Sequence, residues 1–543
     1  MAQGQAFVNA CVYLGRKRLI EKGYVLIRSQ RIEEVGSSNE FVRSSDIEVT
    51  DLRGGLILPG LVDAHLHLVN YAMTLLEPDL AATATLENGL EVIRARVAGL
   101  PKGAWLTGRG WDKQRWGLDT FPTRQMLDRA APANPVLLTS RDGHLVWLNS
   151  AGLRELGLDG QAPAVEGGEA VTDSAGRPTG ILKENAATLA LTRLGVRNDE
   201  RVMDAIERAC RRLAGFGFTG VHTIESAATA RVLTQALGAR PVALNLVRML
   251  EVLEPDEIDG LEPRPEACCI KTYADGALGS QTASMIEPYC GEPGNVGIRA
   301  RSTAKLREIV LRAVAKGFGV AIHAIGDRAN MEVLGVYEEV RRMPAHAGAL
   351  LRIEHAQVLR AEDIPRFAAL GVIASMQPIH LVSDRPVAAR YWRDRCARAY
   401  AWKSILDAGG TVAFGSDAPI ESPDPLAGIH AAVARCDPAN PGEGAWYPEG
   451  CLAVWQAVDC YTAGSAAASR AGLVAGREGR GQGSSGRDRG GQAAPYAEGT
   501  ITPGARADLT ILDRNIFAAA DPRAILEARV VGTVGSGEAR LNS

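Results

Sequence analysis

From about residue 200 onward, short apolar runs alternate with segments of helical periodicity. The runs TGVHTIES, GVAIHAIGD and TVAFGSDAP each follow such a helical segment. Regular alternation of strand and helix is typical of a parallel sheet covered by helices. Together with earlier strand-like runs at 61–67, 104–110 and 135–142, the series supplies enough strands to close a barrel. We therefore predict an α/β fold, a (β/α)8 TIM-type barrel.

The two ends of the chain differ from this middle part. Both are rich in short strands and turns, as in GYVLIRSQRIEEVG near the start and ADLTILD near the end. At 543 residues the chain is too long for one ordinary core. We predict a small discontinuous β-sandwich domain built from 1–58 and 498–543, a barrel over 59–474, and a flexible Gly/Arg-rich insertion at 475–497.

Composition narrows the classes of partner. The formal charge is −3, from 60 basic and 63 acidic residues, so we expect neither nucleic acid nor an anionic membrane as a partner. No apolar run is long enough to span a membrane, and the N-terminal residues lack the pattern of a signal peptide. The nine cysteines have no CxxC spacing, which favours reduced thiols and a cytoplasmic location. A homo-oligomer is left open.

The first predicted barrel strand ends in two histidines. His65 and His67 follow the run LILPGLVDA, and residues two apart on a strand face the same side. Two imidazoles on one side form half of a site for a divalent transition metal, with zinc the first choice. Surface strands also carry such pairs by accident, so the pair alone does not establish a metal site.

Four further polar residues lie at or just beyond the ends of apolar strand-like runs: Lys271, His323, His355 and Asp417. In a barrel of this type these ends meet at one face, where functional side chains collect. Lys271 could extend to the barrel mouth or pair with an acid. Alternatively, its amine is carboxylated and bridges two cations. Asp417 could cap a helix, or bind metal and take a proton from the attacking water.

Candidate substrate contacts come from four motifs. Trp111 and Asp112 lie in GRGWD, His144 in RDGH and His380 in SMQPIH. A buried tryptophan is as easily a core residue as a substrate platform, whereas His144 and His380 lie beside strand ends and off any clear core stripe. Arg141 is either the partner of an acid or a clamp for a substrate carboxylate.

Taken together, these motifs resemble the amidohydrolase superfamily, and within it the family 3 branch that contains N-substituted formamide deformylases. The resemblance covers about residues 5–535. It rests on LPGLVDAHLH, GRGWD, RDGHLVWLNS, GILKENA, IKTYADGALGSQTA, IHAIGDRA, RIEHAQ, SMQPIH, FGSDAPIESPDPL and GTITPGARADLTILD. It implies a hydrolase of non-peptide C–N bonds, of amide or formamide type, that uses one or two divalent metal ions, and a small-molecule amide as substrate.

The resemblance also assigns metal ligands. It places one ion on His65 and His67 and a second on His323 and His355, with Asp417 as ligand and general base. Carboxylated Lys271 would be the bridge, and Glu184 of GILKENA is the competing carboxylate. Two alternatives stay open: a mononuclear deaminase or cyclic-amide hydrolase on the same scaffold, and a barrel without catalytic activity.

Overall fold

The computed structural model describes residues 4–162, 164–195, 198–240, 242, 244–264, 267–469, 499–535 and 538–541. The chain begins with five strands: β1 (Gly4–Gly15), β2 (Arg18–Arg28), β3 (Arg31–Ser37), β4 (Ile47–Asp51) and β5 (Leu56–Pro59). β1 pairs antiparallel with β2 and parallel with both β4 and β5. The predicted insertion at 475–497 lies outside the described residues.

A sixth strand, β6 (Leu61–Leu66), starts the barrel and is followed by a separate five-stranded sheet. That sheet is formed by β7 (Leu106–Trp111), β8 (Val136–Ser140), β9 (Leu145–Leu148), β10 (Gly168–Thr172) and β11 (Pro178–Glu184), in the order β10-β11-β9-β8-β7. The prediction that 104–110 and 135–142 are barrel strands was therefore wrong. β8 is buried on both faces, with Leu137 in one apolar cluster and Leu138 in another. It therefore has the continuous apolar run of a barrel strand.

The remaining barrel strands follow this insertion. They are β12 (Phe218–Glu225), β13 (Asn245–Glu251), β14 (Ala267–Tyr273), β15 (Gly319–Ala324), β16 (Leu351–His355), β17 (Ile373–Met376) and β18 (Thr411–Phe414). They form an eight-stranded parallel sheet in the order β18-β17-β16-β15-β14-β13-β12-β6. The predicted barrel is confirmed as an α/β sheet that nearly closes.

Side chains and loop backbone hold the two edges of this sheet together. The Ser416 hydroxyl donates to Asp63 Oδ2 at 2.5 Å, and the Ser416 N–H donates to Asp63 Oδ1 at 3.0 Å. The Asp417 N–H donates to the carbonyl oxygen of His65 at 2.7 Å. The first and last strands are therefore fixed against each other at the end where the candidate site lies.

Three strands complete the chain: β19 (Leu509–Leu512), β20 (Val530–Gly535) and β21 (Glu538–Leu541). β19 pairs antiparallel with β5, so strands from both parts of the chain lie in one sheet. The apolar cluster of this sheet includes Phe7, Val25, Ile57, Leu509 and Ile511. Its description as a β-sandwich stays a prediction.

Helices cover the barrel and the inserted sheet. They are α1 (Leu68–Thr74), α2 (Leu86–Val97), α3 (Arg124–Ala130), α4 (Ser150–Glu155), α5 (Asn185–Leu194), α6 (Glu200–Gly215), α7 (Ala227–Ala239), α8 (Thr303–Ala315), α9 (Asp327–Arg342), α10 (Ile364–Leu370), α11 (Pro378–Tyr391), α12 (Trp402–Asp407), α13 (Pro425–Ala434), α14 (Val454–Asp459) and α15 (Ser465–Ala467). α6 shows why they form. Asp199 caps its first turn by accepting from the Val202 N–H, and an apolar stripe that includes Ile206 and Leu213 is buried. Among the described residues, no helix combines the length and apolarity needed to span a membrane.

Candidate active site

Predicted site residues from several strands meet at the carboxyl end of the barrel. Asp417 lies just beyond β18, and its Oδ1 is 3.3 Å from His65 Nε2 and 3.4 Å from His67 Nε2, both at the end of β6. Its other oxygen, Oδ2, is 3.6 Å from His380 Nε2. The nearby imidazoles hold the pKa of Asp417 well below its usual range, although burial acts in the opposite direction. Asp417 is thus an ionised carboxylate among histidines.

The other predicted histidines continue this group across neighbouring strands. The ring centroids of His65 and His355 are 4.7 Å apart, and those of His355 and His323 are 4.5 Å apart. Burial lowers the pKa of His323 and of His355 well below the usual value, and repulsion from His144 on His323 and from His323 on His355 adds to this effect. Both rings are therefore neutral, which is the protonation state that a metal ligand needs.

Buried acceptors fix which nitrogen of each ring faces the site. His65 Nδ1–H donates to Glu354 Oε2 at 2.5 Å, and His355 Nδ1–H donates to Gln377 Oε1 at 2.8 Å. In each case Nε2 lies on the side of the ring that faces away from that acceptor. His323 differs, because its Nε2–H donates to the carbonyl oxygen of Gly276 at 3.0 Å. The nitrogen of His323 that is left to bind a metal is therefore Nδ1. Such bonds orient metal-binding histidines and increase their basicity.

The acceptor of His65 is itself part of a buried ion pair. Glu354 is bound by Arg352, whose Nε donates to Oε1 at 2.8 Å and whose Nη2 lies 3.2 Å from Oε2. The Arg352 guanidinium and His65 keep the pKa of Glu354 well below its usual range, although burial opposes them. Both side chains of the pair are fully buried. A fixed negative charge therefore lies behind His65.

Two of the predicted residues have backbone conformations that are uncommon for side chains other than glycine. The φ angle is +74° at His355 and +60° at Asp417. Conformations of this kind cost about 1–3 kcal/mol each and collect at functional sites. They turn the chain sharply where each strand ends.

Lys271, on β14, is buried with its Nζ 4.1 Å from the ring centroid of Tyr273. Burial lowers the pKa of Lys271 to about 8, against the attraction of Glu354 and Asp417. A neutral amine is the form that reacts with carbon dioxide, and this pKa makes that form available near neutral pH. Its carboxylation stays a prediction.

Glu184, the competing bridge, lies at the end of β11 in the inserted sheet. Its Oε2 is 2.8 Å from His144 Nδ1, and its Oε1 accepts from the Thr282 hydroxyl at 2.5 Å. The His144 ring centroid is 5.2 Å from that of His323. The insertion therefore places the His144–Glu184 pair beside His323, at the edge of the histidine group.

A cleft opens above these residues between the barrel and the insertion. All four predicted substrate contacts line this cleft: Trp111, Asp112, His144 and His380. Trp111 is only 1% exposed and its Nε1–H donates to the Leu138 carbonyl at 2.9 Å, so most of its surface serves the core of the insertion. Asp112 accepts backbone N–H groups of its own turn. His144 and His380 remain the better placed pair.

The polar atoms of this group fit a divalent cation. Ligand atoms of His65, His355 and Asp417 lie within 4.8 Å of one another, and all three residues are buried. His65 Nε2 is buried and has no hydrogen-bond partner among the described residues. A buried polar atom without a partner is costly, and a metal ion would remove that cost. Nitrogen and carboxylate oxygen together are a donor set typical of zinc.

Several residues of the site were not predicted from the sequence. Glu354 and Gln377 orient histidines, Asp63 anchors the loop before Asp417, and Glu421 binds Arg141 at 2.7 Å. Glu354 and Gln377 each follow an apolar strand-like run, as the predicted ligands do. That signal was present, although nothing separated a ligand from the residue that supports it.

The chain has relatives among known families, proteins and solved structures. A model described as the amidohydrolase family matches residues 48–482. The putative amidohydrolase YtcJ of Bacillus subtilis is 33% identical over 506 residues, which is 91% of this chain and 90% of the relative. The N-substituted formamide deformylase of Arthrobacter pascens is 30% identical over 517 residues, 90% of each chain.

Among solved structures, an uncharacterized metal-dependent hydrolase from Pyrococcus horikoshii superposes with a TM-score of 0.72 at 26% identity. The match covers 95% of this chain and 98% of that one. The shared barrel and the matches over nine-tenths of the length agree with the resemblance seen in the sequence motifs. The chain belongs to the amidohydrolase family.

Proposed function

We propose that the chain is a metal-dependent hydrolase that cleaves a non-peptide C–N bond of amide or formamide type in a small molecule. The observation that carries this proposal is the buried Nε2 of His65, which has no hydrogen-bond partner among the described residues and lies 3.3 Å from the ionised carboxylate of Asp417. The N-substituted formamide deformylase among the relatives supports the bond type. Free cysteines among the described residues support our further proposal of a cytoplasmic location.

We propose that the metal is zinc, with one or two ions per subunit. It would be held by His65, His67, His323, His355 and Asp417. Lys271, carboxylated on Nζ, would bridge two ions. A divalent ion bound there would supply an activated water and polarise the substrate carbonyl.

The protein groups then manage protons and position. Water adds to the carbonyl carbon, a C–O bond forms, and the C–N bond breaks. Asp417 takes a proton from the attacking water and passes it to the departing nitrogen. We propose that His380 donates from Nε2 to the carbonyl oxygen, because this buried atom has no hydrogen-bond partner among the described residues.

The test is hydrolysis by purified protein that has been stripped of metal and then reloaded with zinc. N-substituted formamides, N-acyl amines and cyclic amides form the substrate panel, and release of the amine or acid is measured. We expect the stripped protein to be inactive, zinc to restore turnover, and His65→Ala to lose both bound metal and turnover. His346→Ala, at a histidine in a loop turn away from these residues, is the matched control and should behave as wild type.

Turnover by fully stripped protein would contradict the proposal. Full metal binding and turnover in His65→Ala would do so as well. Release of ammonia with one metal per chain would favour the deaminase alternative instead.

A further inference from the structure

The cleft above the candidate metal site carries an excess of negative charge. Its lining holds five carboxylates, the two cations of Arg141 and Lys113, and His144, which is paired with Glu184 at 2.8 Å. One cation, Arg141, is bound to Glu421 at 2.7 Å, and the other, Lys113, has its Nζ 4.9 Å from the ring centroid of Phe121. Among the described residues, neither cation forms an ion pair with Asp384, a half-buried cleft carboxylate on α11.

Asp384 forms no ion pair among the described residues. The Tyr400 hydroxyl donates to its Oδ2 at 2.5 Å, and Gln357 Nε2–H donates to the same atom at 3.3 Å. Both donors are neutral, and no hydrogen bond of Oδ1 is found in the described part of the chain. Burial raises the pKa of Asp384. A carboxylate held in this way has no counter-ion in direct contact among the described residues.

A second acceptor lies beside it. Gln357 is 3% exposed and lines the cleft, and its Oε1 is buried with no hydrogen-bond partner among the residues described. Its orientation is fixed, because a flipped amide would place Oε1 against the Asp384 carboxylate. Asp384 Oδ1 and Gln357 Oε1 thus form an acceptor pair, two acceptors for which the described residues supply no donor.

The acceptor pair lies close to the groups assigned to catalysis. Gln357 Nε2 is 3.4 Å from His380 Nδ1, and His380 Nε2 is 3.6 Å from Asp417 Oδ2. Only one carboxamide and one imidazole separate Asp384 from Asp417. A group bound by the acceptor pair would therefore be joined to the reacting carbonyl by a short linker.

We infer that the acceptor pair binds a cationic, N–H-bearing group of the substrate, such as a primary ammonium. This group would supply the missing counter-ion of Asp384 and a donor for Gln357 Oε1 in one step. The inference rests on the proposed function, since it names the class of amide that the site takes.

The experiment compares three formamides of similar length in the zinc-loaded enzyme: N-(aminopropyl)formamide, N-butylformamide and formamidobutyrate. Hydrogen bonds to charged groups are worth about 1.5–3 kcal/mol, so kcat/KM should favour the cationic substrate over the neutral one by about tenfold or more. The anionic substrate should be the poorest of the three. Asp384→Asn, which keeps the shape and both donors, should reduce the cationic-to-neutral ratio to about one.

Asp394→Asn is the matched control, because it removes the same charge from an exposed residue just beyond α11. It should leave the substrate ratio as in wild type. Equal kcat/KM for the cationic and neutral substrates in wild type would overturn the inference, and so would an unchanged ratio in Asp384→Asn. If that variant fails to fold, the wild-type ratio still decides.

A binding measurement separates this inference from the proposed function. Propylammonium and propanol are titrated into the zinc-loaded protein by calorimetry, with no reaction required. We expect propylammonium to bind and Asp384→Asn to abolish that binding. If the cation binds but no amide is hydrolysed, the proposed function fails alone. If amides are hydrolysed without a cation preference and propylammonium does not bind, the inference fails alone.

Discussion

The buried carboxylate of Glu354 serves the barrel core and the candidate metal site together, and Glu354→Gln tests both roles. On one side it binds the Arg352 guanidinium at 2.8 Å, and on the other it accepts from His65 Nδ1 at 2.5 Å. Glutamine preserves the volume and one acceptor oxygen. The substitution therefore removes charge with little change in packing.

The loss of stability can be worked out from these contacts. Breaking a buried ion pair by removing one partner costs about 3–5 kcal/mol. The Arg352 guanidinium would still donate to neutral oxygens, including those of Ala64 at 2.8 Å and Ala468 at 2.9 Å. Since those bonds survive, we expect the lower end, a loss of about 3 kcal/mol in the free energy of unfolding.

The same substitution should weaken metal binding. His65 would keep an acceptor for Nδ1–H, although a neutral amide holds the ring less firmly than a carboxylate. Removal of such a supporting group costs about 10–100-fold in metal affinity. Glu354 thus links two quantities that independent assays can measure.

Urea unfolding of the metal-stripped protein, followed by circular dichroism, measures the first quantity. Competition with a zinc chelator measures the second. Glu362→Gln removes the same charge from an exposed residue near Arg360 and should match wild type in both assays. A loss below about 1 kcal/mol together with unchanged zinc affinity in Glu354→Gln would refute this role.

Three further predictions concern other residues. Asp417→Asn should keep the fold and lower turnover by more than the roughly 10²–10⁴-fold usual for a general base alone; near-wild-type rates would instead support a helix cap. Lys271→Ala should lose activity that short carboxylic acids partly restore, whereas loss of the second metal only in Glu184→Ala would make Glu184 the bridge. Burial raises the pKa of Cys210 to about 12, so at pH 8 iodoacetamide should label half-exposed Cys290 and spare Cys210 in peptide maps; rapid labelling of Cys210 would contradict its burial.

Much of the fold could be predicted because barrel strands and their helices have distinct periodicities. His323 and His355 follow strand-like runs, and β15 and β16 end at or beside them, in adjacent positions of the sheet. The inserted sheet was misassigned because β8 is buried on both faces and thus resembles a barrel strand. Two apolar clusters outside the barrel bury β8. The local sequence of a strand does not show whether the barrel or another cluster buries it.

The candidate site was predicted less completely. Strand ends identified His65 and Asp417, because parallel strands bring their carboxyl ends to one face. The partners that orient them depend on side-chain geometry across strands, as in the bond from His65 to Glu354. Asp384 could not be singled out either, since its proposed role follows from the lack of an ion pair among the described residues rather than from any motif.

Anomalous diffraction from crystals of zinc-loaded, active protein would locate the metal directly. Data collected above and below the zinc edge should show a peak at the carboxyl end of the barrel. We predict that it lies about 2.0–2.2 Å from His65 Nε2 and from a carboxylate oxygen of Asp417. An active, zinc-loaded crystal without a peak beside these two residues, or an undiminished peak there in His65→Ala, would contradict the proposed metal site.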